Sequence, residues 1–151
     1  MSIKIKSLSA YVTKTDIKEA TKDEILKASA IHIQDVQKGC AFLANKIIEA
    51  GINHDHTKIS LNDKFFDENN RYIGVHAHTA AERHHHIKNQ CPDDVTLIDI
   101  LEFMVDVVMA AIARKGRVSD EPISDEILQK AYKNTFEMLN KEITIENDAE
   151  M

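Results

Sequence analysis

The stretch "GINHDHTKIS", residues 51–60, places His54, Asp55, His56 and Lys58 within five positions. Neutral imidazole nitrogen and carboxylate oxygen suit Mn, Fe, Co, Ni or Zn better than Ca. Taken singly, Asp55 reads as a turn or cap residue. As an adjacent pair following a helix end, His54 and Asp55 can both turn toward one point, which makes them candidate ligands of a divalent transition metal. Asp106 is a second candidate. Its neighbours are Phe103, Met104, Val105, Val107, Val108 and Met109, and an ionised carboxylate among apolar groups costs several kcal/mol unless it is paired or binds a metal. The plainer alternative is a solvated stripe shared with Asp99 and Glu102, which lie on the same face at i−7 and i−4. Asp99 has its own explanation as the third helical residue after a Thr96 cap. His32, beside the apolar stripe of the first long helix, is the last member of the set. Alone, such a histidine more often satisfies a helix boundary than holds an ion.

Five further histidines stand at 76, 78, 84, 85 and 86. Consecutive residues of an α-helix point about 100° apart, so the triple run is not expected to converge on one ion, and one or two of its rings face the site at most. His56 points away if His54 points in. Lys58, Arg83, Lys88 and Arg114 are the cations that could hold a phosphate, each competing with a plain surface role. Lys58 stands nearest the candidate ligands in sequence.

The elements that must position these groups are mainly helical. "TKDE", Thr21–Glu24, fits a capping box. After it, Ile33, Val36, Cys40, Leu43 and Ile47 follow spacings of three and four, predicting a helix from about 22 to 50 with Gly51 ending it and a break near Ser29. "DENN", residues 67–70, reads as a turn, and residues 76–90 as helical. Thr96 caps the apolar segment "LIDILEFMVDVVMAAIARKG", which closes on Arg114, Lys115 and Gly116, as the helix dipole favours. Ser124 caps a last amphipathic helix. Residues 1–20 form an N-terminal arm, a short strand or a flexible segment. Residues 142–151 form an acidic, frayed tail. The expectation is an all-α bundle of about five helices over residues 21–141.

Bulk properties narrow the function classes. The chain has 151 residues and a net charge of −6, with 43% hydrophobic and 29% charged residues, as in an ordinary globular domain. Such a charge argues against non-specific nucleic-acid binding, while a local basic patch still suffices for a small anionic substrate. Cys40 and Cys91 form neither a CxxC motif nor a disulfide framework. No secretory leader and no apolar run of 18 residues stands out. The expected place is therefore the cytoplasm, that of the host if the chain is viral. A homo-oligomer stays open.

The order His32, His54-Asp55, Asp106, with Lys58, resembles the HD-domain superfamily of metal-dependent phosphohydrolases. "HDHTK" is similar to the His-Asp-x-x-Lys form of its cyclic-dinucleotide phosphodiesterases, whose Gly-Tyr-Pro signature this chain lacks. The chain also resembles small phage-associated HD-like proteins of unknown function through "HHHIKN" (His84 to Asn89) and "TLIDILEFMVD" (Thr96 to Asp106), over roughly residues 30–115. The resemblance implies an HD-like helical fold and hydrolysis of a phosphate ester, with a nucleotide as the expected substrate. It implies His32, His54, Asp55 and Asp106 as metal ligands, with His85 and His86 the best matches among the later histidines. Lys58 would neutralise phosphoryl charge, and Glu82 or Glu102 would be the general base. The small proteins carry a second His-His pair after the Asn, where this chain has Gln90, Cys91 and Pro92. One strongly held metal is therefore expected, with any second site weak or empty. Two rivals are an HD-fold di-iron oxygenase and a non-catalytic protein that binds a nucleotide or a host factor.

Overall fold

The computed structural model describes residues 2–6, 19–60, 66–69, 71–74, 79–80, 82–118 and 121–146. These residues are mostly helical. The elements in chain order are β1 (Ile3–Lys6), α1 (Lys22–Asn53), the single turn α2 (Thr57–Ser60), a 3₁₀ turn (Arg83–His86), α3 (Leu97–Lys115), α4 (Asp125–Glu142) and β2 (Ile143–Glu146). By internal contacts the chain divides into two units. One comprises Met1–Asn45 with Met138–Met151, and the other Lys46–Glu137.

In the first unit, β1 pairs in parallel with β2, Ile3 opposite Ile143 and Ile5 opposite Ile145. The sequence reading of 142–151 as a frayed tail is corrected for residues 143–146. "ITIE" alternates β-branched and polar residues and finds a strand partner in "IKIK". Residues 147–151, most of the N-terminal arm (residues 1 and 7–18), and His76 and His78 lie outside the described residues. The α1 capping box forms as read: Thr21 N–H donates to Glu24 Oε2 at 2.7 Å, and Glu24 N–H to Thr21 Oγ1 at 3.2 Å. α1 runs unbroken past Ser29 and through Gly51. Its expected stripe is only partly covered: Ile33 and Val36 are exposed, and Phe42 is the buried residue instead.

The second unit has a small core of Ile87, Val95, Ile100 and Ala131, with Leu97, Phe103, Ile123 and Ile127 packed on it. Polar bonds lock its frame. Leu97 N–H donates to Thr135 Oγ1 at 2.8 Å, and the Thr135 hydroxyl donates to Ala131 O at 2.7 Å. Asn134 Nδ2 donates to the carbonyls of Asp93 and Val95. Thr96 and Asp99 make a full capping box at the start of α3. Gly116 ends that helix in the left-handed region at φ 68°, where glycine carries no side-chain clash. In place of one continuous helix over 76–90, the described residues there are helical at Thr79 and Ala80, make a 3₁₀ turn at Arg83–His86 and bend over residues 87–90. Among the described residues the long helices number three, not five. No helix among them is long and apolar enough to cross a membrane.

Candidate metal centre

The second unit gathers its titratable side chains from three places. α1 ends at Asn53, and the chain turns over His54–His56 into α2. Asp55 makes that turn with a left-handed φ of 53°, a conformation Asp tolerates better than most residues. The helix terminus that Gly51 was expected to supply is thus moved four residues on and carried by the ligand itself. Glu82 holds the corner from below: its Oε1 accepts the Thr57 hydroxyl at 2.5 Å and the Thr57 N–H at 3.3 Å. Burial pushes the Glu82 carboxyl up, but the Thr57 bonds outweigh it and hold the group below the usual carboxylate range.

The second place is the 3₁₀ turn. Arg83 Nε and Nη2 donate to the two carboxylate oxygens of Asp99 at 2.6 and 3.1 Å, and Nη1 and Nη2 reach Asp94. This bidentate clamp pins the turn to the start of α3 and raises the Arg83 pKa through the Asp99 bonds. In a 3₁₀ helix residues three apart eclipse. Ile87 sits in the core with no exposure, and His84, three residues earlier, is only 1% exposed.

The third place is one face of α3, where Asp99, Glu102 and Asp106 follow spacings of three and four. Each carboxylate has a different partner. Asp99 takes Arg83. Glu102 Oε1 accepts from His54 Nδ1 at 2.9 Å and lies 3.2 Å from His84 Nδ1. Asp106 faces both imidazoles at their other nitrogen, with Oδ1 3.5 Å from His54 Nε2 and Oδ2 3.7 Å from His84 Nε2. Asp55 completes the ring. Its Oδ2 lies 3.5 Å from His54 Nε2, and its Oδ1 lies 3.4 Å from His84 Nε2 and 3.9 Å from His85 Nε2.

These distances exceed the roughly 2.7–3.2 Å of an N–H···O hydrogen bond. Those of 3.4 and 3.5 Å match ligands around an ion instead, while those of 3.7 and 3.9 Å are longer. Four donors at about 2.0–2.2 Å from a tetrahedral centre stand about 3.3–3.6 Å from one another. His84 Nε2 is buried and makes no hydrogen bond among the described residues, an arrangement that leaves its lone pair for an ion. An ionised Glu102 can only accept, so it fixes His54 with its proton on Nδ1 and its lone pair on Nε2. Two groups of ligand atoms could hold a metal ion: His54, Asp55 and His84, and His84, His85 and Asp106.

Electrostatics separate the two central rings, whose centroids are 4.4 Å apart. Burial works against a charge on His54, but the Glu102 hydrogen bond and the Asp55 and Asp106 charges outweigh it and raise its pKa. Burial and the neighbouring His54 lower that of His84. The two rings are thus shifted in opposite directions.

Of the expected site residues, His54, Asp55, His85 and Asp106 come together. His32 is exposed on α1 in the first unit and joins neither group. His86 Nε2 lies 3.3 Å from the Ala80 carbonyl and also joins neither. His56 turns outward to the Asn53 carbonyl, as expected. Lys58 Nζ forms an ion pair with Asp55 Oδ2. Arg83 is committed to Asp94 and Asp99, and Lys88 to Glu121. Glu82 and Glu102 are both engaged in the bonds above.

The residue that sequence reasoning passed over is His84. Consecutive residues of a 3₁₀ turn point about 120° apart, yet the His84 and His85 rings lie 4.2 Å apart and both reach the cluster. The spacing of His84 to Ile87 in "HHHI" was the available signal, since it puts the first histidine on the buried side. No protein-family model, curated protein or solved structure matches the chain.

Proposed function

We propose that this protein is a metal-dependent phosphohydrolase acting on a nucleotide or a related phosphate ester. The observation that carries it is the pair of overlapping ligand groups, His54 with Asp55 and His84, and His84 with His85 and Asp106, with a lysine on Asp55. Because the groups share His84, we read them as the surroundings of one ion. His54, Asp55, His84 and Asp106 hold it, and His85 stands at the margin. When bound, a divalent transition metal supplies Lewis acidity toward a phosphoryl oxygen and acidifies water.

The chain's own groups do the rest. Glu102 is a positioning residue that orients His54 and His84. Glu82 fixes the Asp55 corner through Thr57. The Arg83–Asp99 clamp sets the turn that carries His84 and His85. Lys58, 47% exposed at its side chain, swings between Asp55 and an incoming phosphoryl group, whose charge it neutralises.

The test is phosphate release from a panel of nucleoside mono-, di-, tri- and cyclic phosphates with Mn, Fe, Co, Ni or Zn added singly to the metal-free protein. Turnover with at least one pair, abolished by Asp106→Asn and reduced by Lys58→Ala, is the expected result. No turnover with any pair overturns the proposal. Two irons per chain with a visible absorption band would move the assignment to an oxygenase.

A further inference from the structure

A crevice of about 240 Å³ opens directly beside the ligand cluster. One wall is the end of α1, with Ile47, Gly51 and His54 at spacings of four and three. The other is α3, with Glu102, Val105, Asp106 and Met109. His54 and Asp106, both in the ligand cluster, thus line the same cleft as an apolar surface made by Ile47, Val105 and Met109.

Three features say what fits there. The first is size. Sites that bury a whole drug-sized ligand run to about 300–1,000 Å³, so this crevice takes one ring-sized portion of a molecule. The second is charge. Among the described residues its lining offers the carboxylates of Glu102 and Asp106 and no lysine or arginine, which disfavours further phosphate. The third is Gly51. It lies inside α1, where glycine is unfavourable, and its φ is not in the left-handed region. A Cβ built on it meets nothing within 4 Å. Neither backbone conformation nor close packing calls for glycine, and a larger side chain here has open space before it at the crevice wall.

We infer that the crevice binds the uncharged ring-bearing part of the substrate, a nucleobase or an aryl group, while the single phosphate lies toward the metal and Lys58. This rests on the phosphohydrolase reading and narrows it to monoesters of ring-bearing alcohols, against polyphosphates whose charge would extend into the cleft.

The experiment uses manganese-loaded protein and two uncharged probes, adenosine and 1-naphthol, followed by calorimetry. At least one should bind the wild type, and Gly51→Leu, which adds a bulky side chain at the crevice wall, should weaken it tenfold or more. Met109→Ala should weaken it severalfold. Manganese per chain should be unchanged in both variants. Tighter adenosine marks a nucleobase site, and tighter 1-naphthol an aryl site. Binding of neither probe, or equal binding to Gly51→Leu, overturns the inference. Hydrolysis of methyl phosphate, which has no ring, is followed in the same preparations. If methyl phosphate and ring-bearing esters are hydrolysed alike and Gly51→Leu changes neither, the crevice inference fails and the hydrolase stands. Ring binding without hydrolysis of any ester removes the hydrolase and leaves a ring-binding crevice.

Discussion

Glu102 touches two imidazoles at the nitrogen that faces away from the candidate ion, so its effect on metal binding is indirect and separable from ligation. Glu102→Gln preserves shape but offers an amide that donates as well as accepts, and the fixed orientation of His54 and His84 is lost. Metal affinity should fall by about 10–100-fold, with saturation still reached at high metal. A competition titration against a chromophoric chelator measures it, and unchanged affinity would show that Glu102 does not orient the rings. At this scale much of the cluster was legible. His54 and Asp55 stood out as an adjacent pair after a helix end, and Asp106 as a carboxylate among apolar neighbours. His84 did not, because its burial depends on a 3₁₀ turn that apolar periodicity does not reveal. Lys58 was legible as a cation near the site but not as the partner of Asp55.

The 3₁₀ turn carries two of the candidate ligands and is tied to α3 by Arg83, whose removal leaves Asp99 without its guanidinium at a side chain 11% exposed. Losing one partner of a buried pair costs about 3–5 kcal/mol. Arg83 is partly exposed, which reduces this to about 2 kcal/mol after allowing for solvent screening. Arg83→Met should show that loss in denaturant unfolding and weaken metal binding as well. Loss of stability with full metal affinity would mean the turn does not place His84. Glu82 ties α2 to the same region, and its sign with pH is definite. Its folded pKa lies below the ordinary glutamate value of 4.5, so its contribution is complete above that value and lost as pH falls through the folded pKa. Glu82→Gln should flatten the acid limb of stability below about pH 4.5, read from melts at stepped pH. An acid limb identical to wild type would remove Glu82 from that role. The capping boxes at Thr21 and Thr96 were legible because their chemistry is local. The β1–β2 pairing was not, because it joins residues 3–6 to 143–146 and neither strand signals its partner.

For the molecule as a whole, a metal that binds only the folded state adds stability by mass action. At 100 times its dissociation constant the gain is about 2.7 kcal/mol. For a chain of this length each kcal/mol shifts Tm by about 2–4 °C, so chelation should lower Tm by about 5–11 °C. Equal melting temperatures after verified metal removal would contradict a site of that affinity. The mainly helical character was legible from the spacing of apolar residues and from the capping signals before them. The division at Asn45 and Met138 was not, since it falls inside two continuous helices that carry no composition change. The central claim is that His84 completes one metal site with His54, Asp55 and Asp106. Elemental analysis of the protein after equilibration with Mn, Fe, Co, Ni and Zn, and gel filtration, tests it most directly. Wild type and His86→Ala should each hold one equivalent per chain, and His84→Ala none. Equal metal in His84→Ala and wild type, or no metal retained by wild type, would contradict it.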